Sequence, residues 1–318
     1  MNFSFTPEQD TFRAEARRFF DERVDVRAQI AMPGAHDPAL WKEMAALGFL
    51  GVADPESGST LVDLCVLVEE SGRALLPGPF LPHTIASLAV ARAGGDPDLV
   101  ASLTSGETVA TATEDPSLVP CGGVADVVAI LRFQEPGLVR SFDAAEIESA
   151  DLTRPAVHVS GGSEDALNPI PLRHVACTVV AAESVGAAAR ALEMAVAYAK
   201  EREQFGRAIG SFQAIKHKAA DMLRAVEAAR LAVYYAASSI DAGAPDAFVA
   251  AATAKVVGND AFLRCAAENI QIHGGIGVTW EHDAHLLYRR ALANSVYFGD
   301  SAGGRDVVAR ALFAELDA

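Results

Sequence analysis

The chain has 318 residues, 51% of them hydrophobic, so two or three domains are expected rather than one small core. Its formal net charge of -16 and its pI near 4.9 argue against a nucleic-acid binder, because neutralising phosphates requires a basic surface. We interpret the acidity mainly as favouring solubility.

Helix signals dominate the first hundred residues. Residues 6–9 combine a capping threonine, a first-turn proline and a glutamine suited to a capping box. Asp37-Pro38 predicts the start of a second helix that stops at Gly48. A third helix is predicted over residues 60–75 and ended by Pro77, Pro79 and Pro82. The sequence therefore predicts an N-terminal helical domain over residues 1–104.

The pattern changes in the middle of the chain. Short β-branched runs at 108–113, 124–133 and 138–142 are broken by glycine, proline and aspartate. These runs predict a small, reduced β-domain over residues 105–170.

Beyond Pro171 the sequence becomes helical again. Alanine-rich segments are joined by short turns that contain glycine, which predicts an antiparallel four-helix bundle over residues 171–318. The predicted helices cover 185–202, 212–242, 245–273 and 281–295, with one more after residue 301. The overall fold class is thus mostly α.

The cysteines and the amino terminus favour a cytoplasmic protein. Cys65, Cys121, Cys177 and Cys265 are scattered and form no C-x-x-C pair. The first twenty residues lack the apolar segment of a signal peptide. No stretch looks long and apolar enough to span a membrane, so neither a membrane nor a nucleic acid is predicted as a partner.

The first stretch that suggests chemistry covers residues 198–218. Arg202 and Gln213 flank one helix-to-helix corner, with Phe205 between them in an R-E-Q-F-G segment. Cations outnumber acids in this region and make it a cationic island, which predicts an anionic ligand. The cations are Lys200, Arg202, Arg207, Lys216, Lys218 and Arg224.

The second stretch is a glycine-rich turn after residue 270. Gln271 is followed by Gly274 and Gly275, where missing side chains let a ligand approach the backbone. The cluster matches neither the G-x-G-x-x-G dinucleotide fingerprint nor a Walker A motif. Alone it would be a weak signal.

Together the two stretches resemble the acyl-CoA dehydrogenase family, which carries R-x-x-F-G, then a glutamine opening the next helix, then Q-I-x-G-G-x-G. Residues 41–55 and 67–81 also look like that family. The resemblance implies noncovalent FAD at a subunit interface. It assigns Arg202, Phe205 and Gln213 to the ADP half of a flavin seated mainly in a neighbouring subunit, with Gln271, Gly274 and Gly275 on the opposite side.

Simpler interpretations remain open for these residues. Arg202 fits a solvated charge at a helix C-terminus, where the helix dipole favours cations. Phe205 fits an ordinary core position. Arginine can also bind a pyrophosphate through two hydrogen bonds, and the register of Arg202 with Gln213 and the glycine turn favours the ligand interpretation.

The catalytic glutamate that the resemblance implies is missing. The family removes an α-proton from an acyl thioester with a glutamate in a Y-E-G segment, and that position is Phe298 here. Some relatives use a position near the start of the R-x-x-F-G helix, which is Ala176 here. Asp300 and Glu183 are weak candidate bases. Asp300 fits a turn or helix cap better, and Glu183 lies about 10 Å from the expected place.

The flavin-ring motifs are also incomplete. Relatives carry T-E-P-x-x-G-S-D and W-I-T-N-G, whereas this chain offers only an approximation to the first at residues 113–117. The pattern resembles the short subunits of heteromeric actinobacterial acyl-CoA dehydrogenases, which pair with a glutamate-bearing subunit as α2β2. The resemblance implies a steroid-derived acyl-CoA as substrate and a separate electron acceptor.

Two alternatives stay open at this point. The chain fits a complete homomeric dehydrogenase that uses Asp300 or Glu183, or a scaffold that no longer binds flavin. A metal site built from His282, Asp283 and His285 is disfavoured, because polar residues are common on such a surface. His217 and His273 border the proposed flavin site and are interpreted as packed or capping residues.

Overall fold

The computed structural model describes residues 5–132, 135–168 and 172–316. Helices come first, a β-domain follows, and a second helical part ends the chain. One hydrophobic core runs through both helical parts and into the β-domain, while a smaller core lies within the β-domain. The predicted mostly α architecture is confirmed.

The N-terminal part contains more helices than its sequence signals predict. The three predicted starts are confirmed, since Thr6, Asp37 and Thr60 each accept a hydrogen bond from a backbone N–H of the first turn. The helices are α1 (Pro7–Arg23), α2 (Val26–Ile30), α3 (Pro38–Ala46), α4 (Leu61–Arg73), α5 (Phe80–Arg92) and α6 (Pro97–Thr104).

Helix α5 escaped prediction because it has no polar face. Every residue from 80 to 90 is buried, so there is no helical alternation to detect. Pro82 does not end a helix as predicted, since it lies in the first turn of α5. There its missing N–H removes no helical hydrogen bond.

The β-domain consists of two small sheets. One has the order β1-β3-β4-β7 with β1 and β3 parallel, and the other has the order β2-β6-β5. The strands are β1 (Ala110–Thr113), β2 (Val119–Pro120), β3 (Val127–Ile130), β4 (Gly137–Arg140), β5 (Asp143–Glu146), β6 (Ala156–Ser160) and β7 (Ser163–Ala166). Strands β5 and β7 were missed because their residues are all exposed. The end of the predicted run at residue 133 lies outside the described residues.

The C-terminal part is the predicted bundle. Helices α7, α8 and α9 pack against one another, and α10 and α11 pack on α9. The helices are α7 (Arg173–Glu201), α8 (Gln213–Asp241), α9 (Ala247–His273), α10 (Ala284–Val296) and α11 (Ser301–Leu316), with a hairpin of β8 (Glu203–Gln204) and β9 (Arg207–Ala208) between α7 and α8. Helix α7 starts at Arg173 rather than at residue 185, because its apolar, partly β-branched first turns resemble a strand.

Two glycines let α4 and α7 touch through their backbones. A Cβ added at Gly186 would lie 1.8 Å from the carbonyl oxygen of Glu69, and one at Gly72 would lie 2.2 Å from that of Glu183. A side chain at either position would force the helices apart. This close contact fixes the position of Glu183 beneath the N-terminal helices.

Helix α7 corrects one expectation. Its length of 29 residues and its hydropathy are sufficient for a membrane span, contrary to the prediction from sequence. Within the fold, 83% of its most apolar window is buried. The apolar character of α7 is therefore explained by its place at the centre of the bundle.

Candidate active site and flavin interface

The corner after α7 presents Arg202 and Phe205 to solvent. Arg202 caps the C-terminus of α7 and accepts a hydrogen bond from Ile209 N–H through its carbonyl (2.8 Å). Phe205 has a φ of +55° and is 91% exposed. A left-handed, exposed phenylalanine is costly for an isolated fold, and such strain collects at functional sites. Phe205 is therefore not the core residue that the simpler interpretation required.

The glycine turn forms an open surface beside this corner. Helix α9 ends at His273, and Gly274 follows with a φ of +65° and a ψ of -142°, a conformation that favours glycine. A Cβ added at Gly274 or Gly275 would meet nothing within 4 Å. Gln271 is also exposed. The turn thus exposes backbone that a ligand or a second chain can approach.

Two contacts bring the predicted stretches together. Tyr198, one turn before Arg202, stacks on His273 with ring centroids 4.3 Å apart. In the second turn of α8, Lys218 pairs with Glu268, which lies five residues before the end of α9. The ends of α7 and α9 and the start of α8 therefore converge on one surface.

The donors on this surface are free. Arg202, Gln213 and Gln271 are exposed, and their side chains make no hydrogen bond or ion pair with any residue in the described part of the chain. An exposed guanidinium and two carboxamides suit a pyrophosphate and an adenine. The residues present therefore fit the ADP half of FAD.

The cationic island is weaker than its composition suggests. Lys218 is neutralised by Glu268, and Arg224 lies 3.8 Å from Asp221. Arg207 stacks over the Phe212 ring at 4.0 Å. Lys200, Arg202 and Lys216 are exposed and make none of these contacts among the described residues, and of the three only Arg202 carries a guanidinium that can bind a pyrophosphate through two hydrogen bonds.

Both positions where the resemblance expects a base are buried and apolar. Phe298 is 3% exposed and Ala176 is 2% exposed. Neither side chain carries a group that can accept a proton. Neither position can therefore supply a general base.

The turn that carries Phe298 is held from three sides. Phe298 has a φ of +56°, and its carbonyl accepts a hydrogen bond from the Cys177 thiol (3.3 Å). The Gly299 carbonyl accepts one from Lys255 Nζ (3.0 Å), and the Tyr297 hydroxyl donates to the Ala112 carbonyl (2.7 Å). A left-handed aromatic residue persists only when its surroundings fix it in this way.

Glu183 belongs to a buried ion-pair network rather than to an open site. Arg290, fully buried, donates to Glu183 Oε1 (2.8 Å) and to Asp151 Oδ2 (2.7 Å). Arg154 lies 3.2 Å from Glu183 Oε2, and Asn294 Nδ2 donates to the same oxygen (2.8 Å). Glu183 is only 3% exposed and its carboxylate is engaged by these three residues, so it does not face an open site that a substrate could enter.

Opposite charges within this network offset the effect of burial on the pKa values of Asp151 and Arg154. Burial would raise the pKa of Asp151, but Arg290 and Arg154 outweigh it and lower that pKa. Burial would lower the pKa of Arg154, but Glu183 and Asp151 outweigh it and raise that pKa. The charged forms of Asp151 and Arg154 are therefore both favoured inside the fold. Sequence reasoning missed Asp151, Arg154 and Arg290, although a doublet of arginines in the middle of an apolar helix was a visible signal.

Asp300 is a helix cap. It is exposed, and its Oδ1 accepts a hydrogen bond from Gly303 N–H (2.8 Å) in the first turn of α11. This is the role that the sequence favoured for Asp300.

A pocket of about 270 Å³ joins the two regions that the resemblance links to the flavin ring and the base. Thr113 and Glu114 line one side, and Tyr297 and Phe298 line the other. Thr113 Oγ1 is already engaged with the carbonyls of Asp115 and Leu118 (2.9 and 3.0 Å). The residues of this pocket therefore fit a flavin ring poorly, in contrast to the ADP surface.

The histidines have structural partners. His273 packs between Tyr198 and His282, and His282 Nδ1 accepts a hydrogen bond from Ala284 N–H (3.1 Å). Asp283 pairs with Arg27 (2.8 Å), and the His285 ring lies against Trp280. Among the residues the structure describes, no group of three or more His, Cys, Asp or Glu side chains is placed to hold a metal ion.

Lys255 predicts a pH dependence of stability. Burial lowers its pKa to about 8, well below the value of about 10.4 for an exposed lysine. Between those values the unfolded chain binds more protons than the folded chain, so the free energy of unfolding should rise as the pH increases from 8. A neutral amine keeps two N–H groups for the Asn294 and Gly299 carbonyls.

Urea unfolding of the wild type and of Lys255→Met at several pH values from neutral to alkaline tests this expectation. The upward slope should be present in the wild type and reduced in the variant. Parallel slopes would show that Lys255 does not titrate in this range.

Comparisons with known proteins agree with this geometry. The family model "Acyl-CoA dehydrogenase, N-terminal domain" matches residues 6–97, and "Acyl-CoA dehydrogenase, C-terminal domain" matches residues 174–313. The curated protein "Acyl-CoA dehydrogenase IpdE2" of Mycobacterium tuberculosis is 38% identical over 273 residues, which is 84% of this chain and 84% of that protein.

Solved structures share the fold along the whole chain. A variant of the steroid ACAD Tcur3481-Tcur3483 superposes with a TM-score of 0.89 at 27% identity, over 98% of this chain and 99% of that one. The ChsE4-ChsE5 complex from Mycobacterium tuberculosis contains a chain with the same TM-score of 0.89 at 23% identity, over 98% and 99%. The latter likeness concerns the fold alone.

Proposed function

Because the chain belongs to the acyl-CoA dehydrogenase family, we propose that it is the subunit without a base in a heteromeric, FAD-dependent acyl-CoA dehydrogenase. FAD is the cofactor of this family. The observation that carries the proposal is a contrast within one chain. Its ADP-side donors are exposed and free, whereas both positions for a base are filled by buried apolar side chains.

In this proposal the chain binds the ADP half of FAD and packs against the partner subunit that holds the flavin. When bound, FAD accepts the β-hydride of an acyl-CoA thioester. Arg202 would bind the pyrophosphate, and Gln213 and Gln271 would bind the adenine end of a flavin seated in the partner subunit. Gly274 and Gly275 let that partner approach the backbone. The proton is removed by a glutamate of the partner, since this chain presents none at the required positions.

The comparisons support a partner and a substrate class for this proposal. Two similar structures are named as pairs of unlike chains, Tcur3481-Tcur3483 and ChsE4-ChsE5, and the former is described as a steroid ACAD. We infer an α2β2 assembly in the cytoplasm that oxidises a steroid-derived CoA thioester and passes electrons to a separate acceptor. The match to "Acyl-CoA dehydrogenase IpdE2" covers 84% of that protein, which supports an acyl-CoA dehydrogenase role for the chain as a whole rather than for one segment of it.

Asp300 provides a test of the missing base. Asp300→Asn keeps an oxygen that can cap α11 but removes the carboxylate. The mixed complex should therefore oxidise its acyl-CoA at an unchanged kcat, measured with an artificial electron acceptor. If Asp300 is the general base, kcat should fall by about 10²- to 10⁴-fold, and the chain would be a complete dehydrogenase.

A further inference from the structure

Two pockets meet at the turn that carries Phe298. The first, here called the β-side pocket, has a volume of about 270 Å³ and includes Thr113, Ala293 and Tyr297. The second, the α-side pocket, has a volume of about 340 Å³ and includes Cys177 and Lys255. Both are bordered by Val296 and Phe298. These two shared residues therefore form the boundary between the pockets.

Of these two boundary residues, Phe298 rather than Val296 separates the pockets in the interior. Val296 is 57% exposed and lies at the rim, whereas Phe298 is 3% exposed. The Phe298 ring packs against Tyr297 with centroids 4.6 Å apart, and Tyr297 is itself anchored to β1 through the Ala112 carbonyl. The ring is thus wedged between the β-domain and the end of α10.

The backbone leaves the ring little freedom to withdraw. Contacts from Cys177 on α7 and Lys255 on α9 fix the carbonyls of Phe298 and Gly299. The left-handed φ of +56° is a narrow well for a residue with a Cβ. A turn held from two helices cannot swing aside without breaking these bonds.

We propose that the Phe298 ring is a plug that divides one cleft into two pockets, so that this chain excludes a planar tricyclic ring from the β-side pocket. The inference rests on the proposed function and deepens it. The chain's own cleft would then lack a base and also be too small for a flavin ring. The β-side pocket, at about 270 Å³, is smaller than the roughly 300–1,000 Å³ of typical ligand pockets. Removing the ring joins the two spaces.

The test uses lumiflavin, the isoalloxazine ring without ribityl phosphate or adenine. It is neutral, so the acidic side chains Glu114 and Asp115 at the β-side pocket repel it less than a phosphorylated flavin. The mixed complex, saturated with FAD so that the partner's site is filled, is titrated with lumiflavin, and fluorescence quenching reports binding beside Tyr297. The wild type should bind no additional lumiflavin.

Phe298→Ala should bind one additional lumiflavin per copy of this chain, where the wild type binds none. A second change, Ala293→Phe in the same variant, refills the β-side pocket and should abolish the gain. Where Phe298→Ala fails to assemble, Phe298→Leu keeps an apolar contact and should show a smaller gain. A folded Phe298→Ala or Phe298→Leu complex that binds no more lumiflavin than the wild type would overturn the plug.

Failure of the plug alone and failure of the proposed function give different results. The plug is wrong, and the proposed function intact, if the wild-type complex holds FAD in the partner's site and the Phe298 variants gain nothing. The proposed function is wrong if the wild-type chain purified alone already carries FAD and turns over acyl-CoA. In that case the wild type should also bind lumiflavin after FAD is removed.

Discussion

Replacing Arg290 with methionine should lower the free energy of unfolding by about 3–5 kcal/mol, the cost of removing one partner from a buried ion pair. The guanidinium is fully buried and reaches Asp151, Glu183 and the Leu76 carbonyl (3.2 Å). These groups come from the β-domain, the bundle and the N-terminal helices. Methionine fills part of the space but leaves the two buried carboxylates to share one buried cation, Arg154.

The neighbouring Arg289 offers a matched control. It is half-exposed and donates one hydrogen bond, to the Ala150 carbonyl (3.3 Å). Arg289→Met should therefore cost less than about 1 kcal/mol, as is usual for exposed positions. Urea unfolding at one fixed protein concentration compares the two variants. Equal losses for Arg289→Met and Arg290→Met would mean that the network does not connect the three parts of the chain.

Replacing Arg202 with alanine should weaken FAD binding by the mixed complex by about 10- to 100-fold, the usual worth of a hydrogen bond to a charged group. The side chain is exposed and makes no contact within the described chain that its loss would disrupt. Folding and assembly should therefore be unchanged. The dissociation constant of FAD, measured by titrating the apo complex, gives the effect directly.

Arg224 serves as the control for charge alone. It belongs to the same cationic island but lies further along α8, with its side chain 72% exposed. Arg224→Ala removes the same charge and should change the FAD dissociation constant by less than about threefold, because exposed charges are screened over roughly 8–10 Å. If both variants weaken FAD equally, the island attracts flavin only through its overall charge.

The parts of the fold that followed from sequence are those with strong local signals. Thr6, Asp37 and Thr60 mark helix starts because a capping side chain acts within one turn. Helix α5 and strand β7 show no alternation of apolar and polar residues, since α5 is buried all round and β7 is exposed on both faces. Their structure depends on tertiary packing, which periodicity does not encode.

The candidate site divides in the same way. The motif around Arg202 and the glycine turn was visible as sequence, and the structure brings its segments together through Tyr198 and His273. The roles of those residues toward FAD stay predictions. The network around Arg290 and the hold of Lys255 on the Phe298 turn join residues more than forty positions apart. A single sequence gives no signal for such pairings.

The absence of a base and the need for a partner are tested most directly by the FAD content and mass of the purified protein, alone and after co-expression with a glutamate-bearing acyl-CoA dehydrogenase subunit. The account predicts no flavin absorbance for the chain alone, and a mixed assembly of two copies of each chain with one FAD for every two chains. A yellow homomer of this chain that oxidises an acyl-CoA without a partner would contradict it.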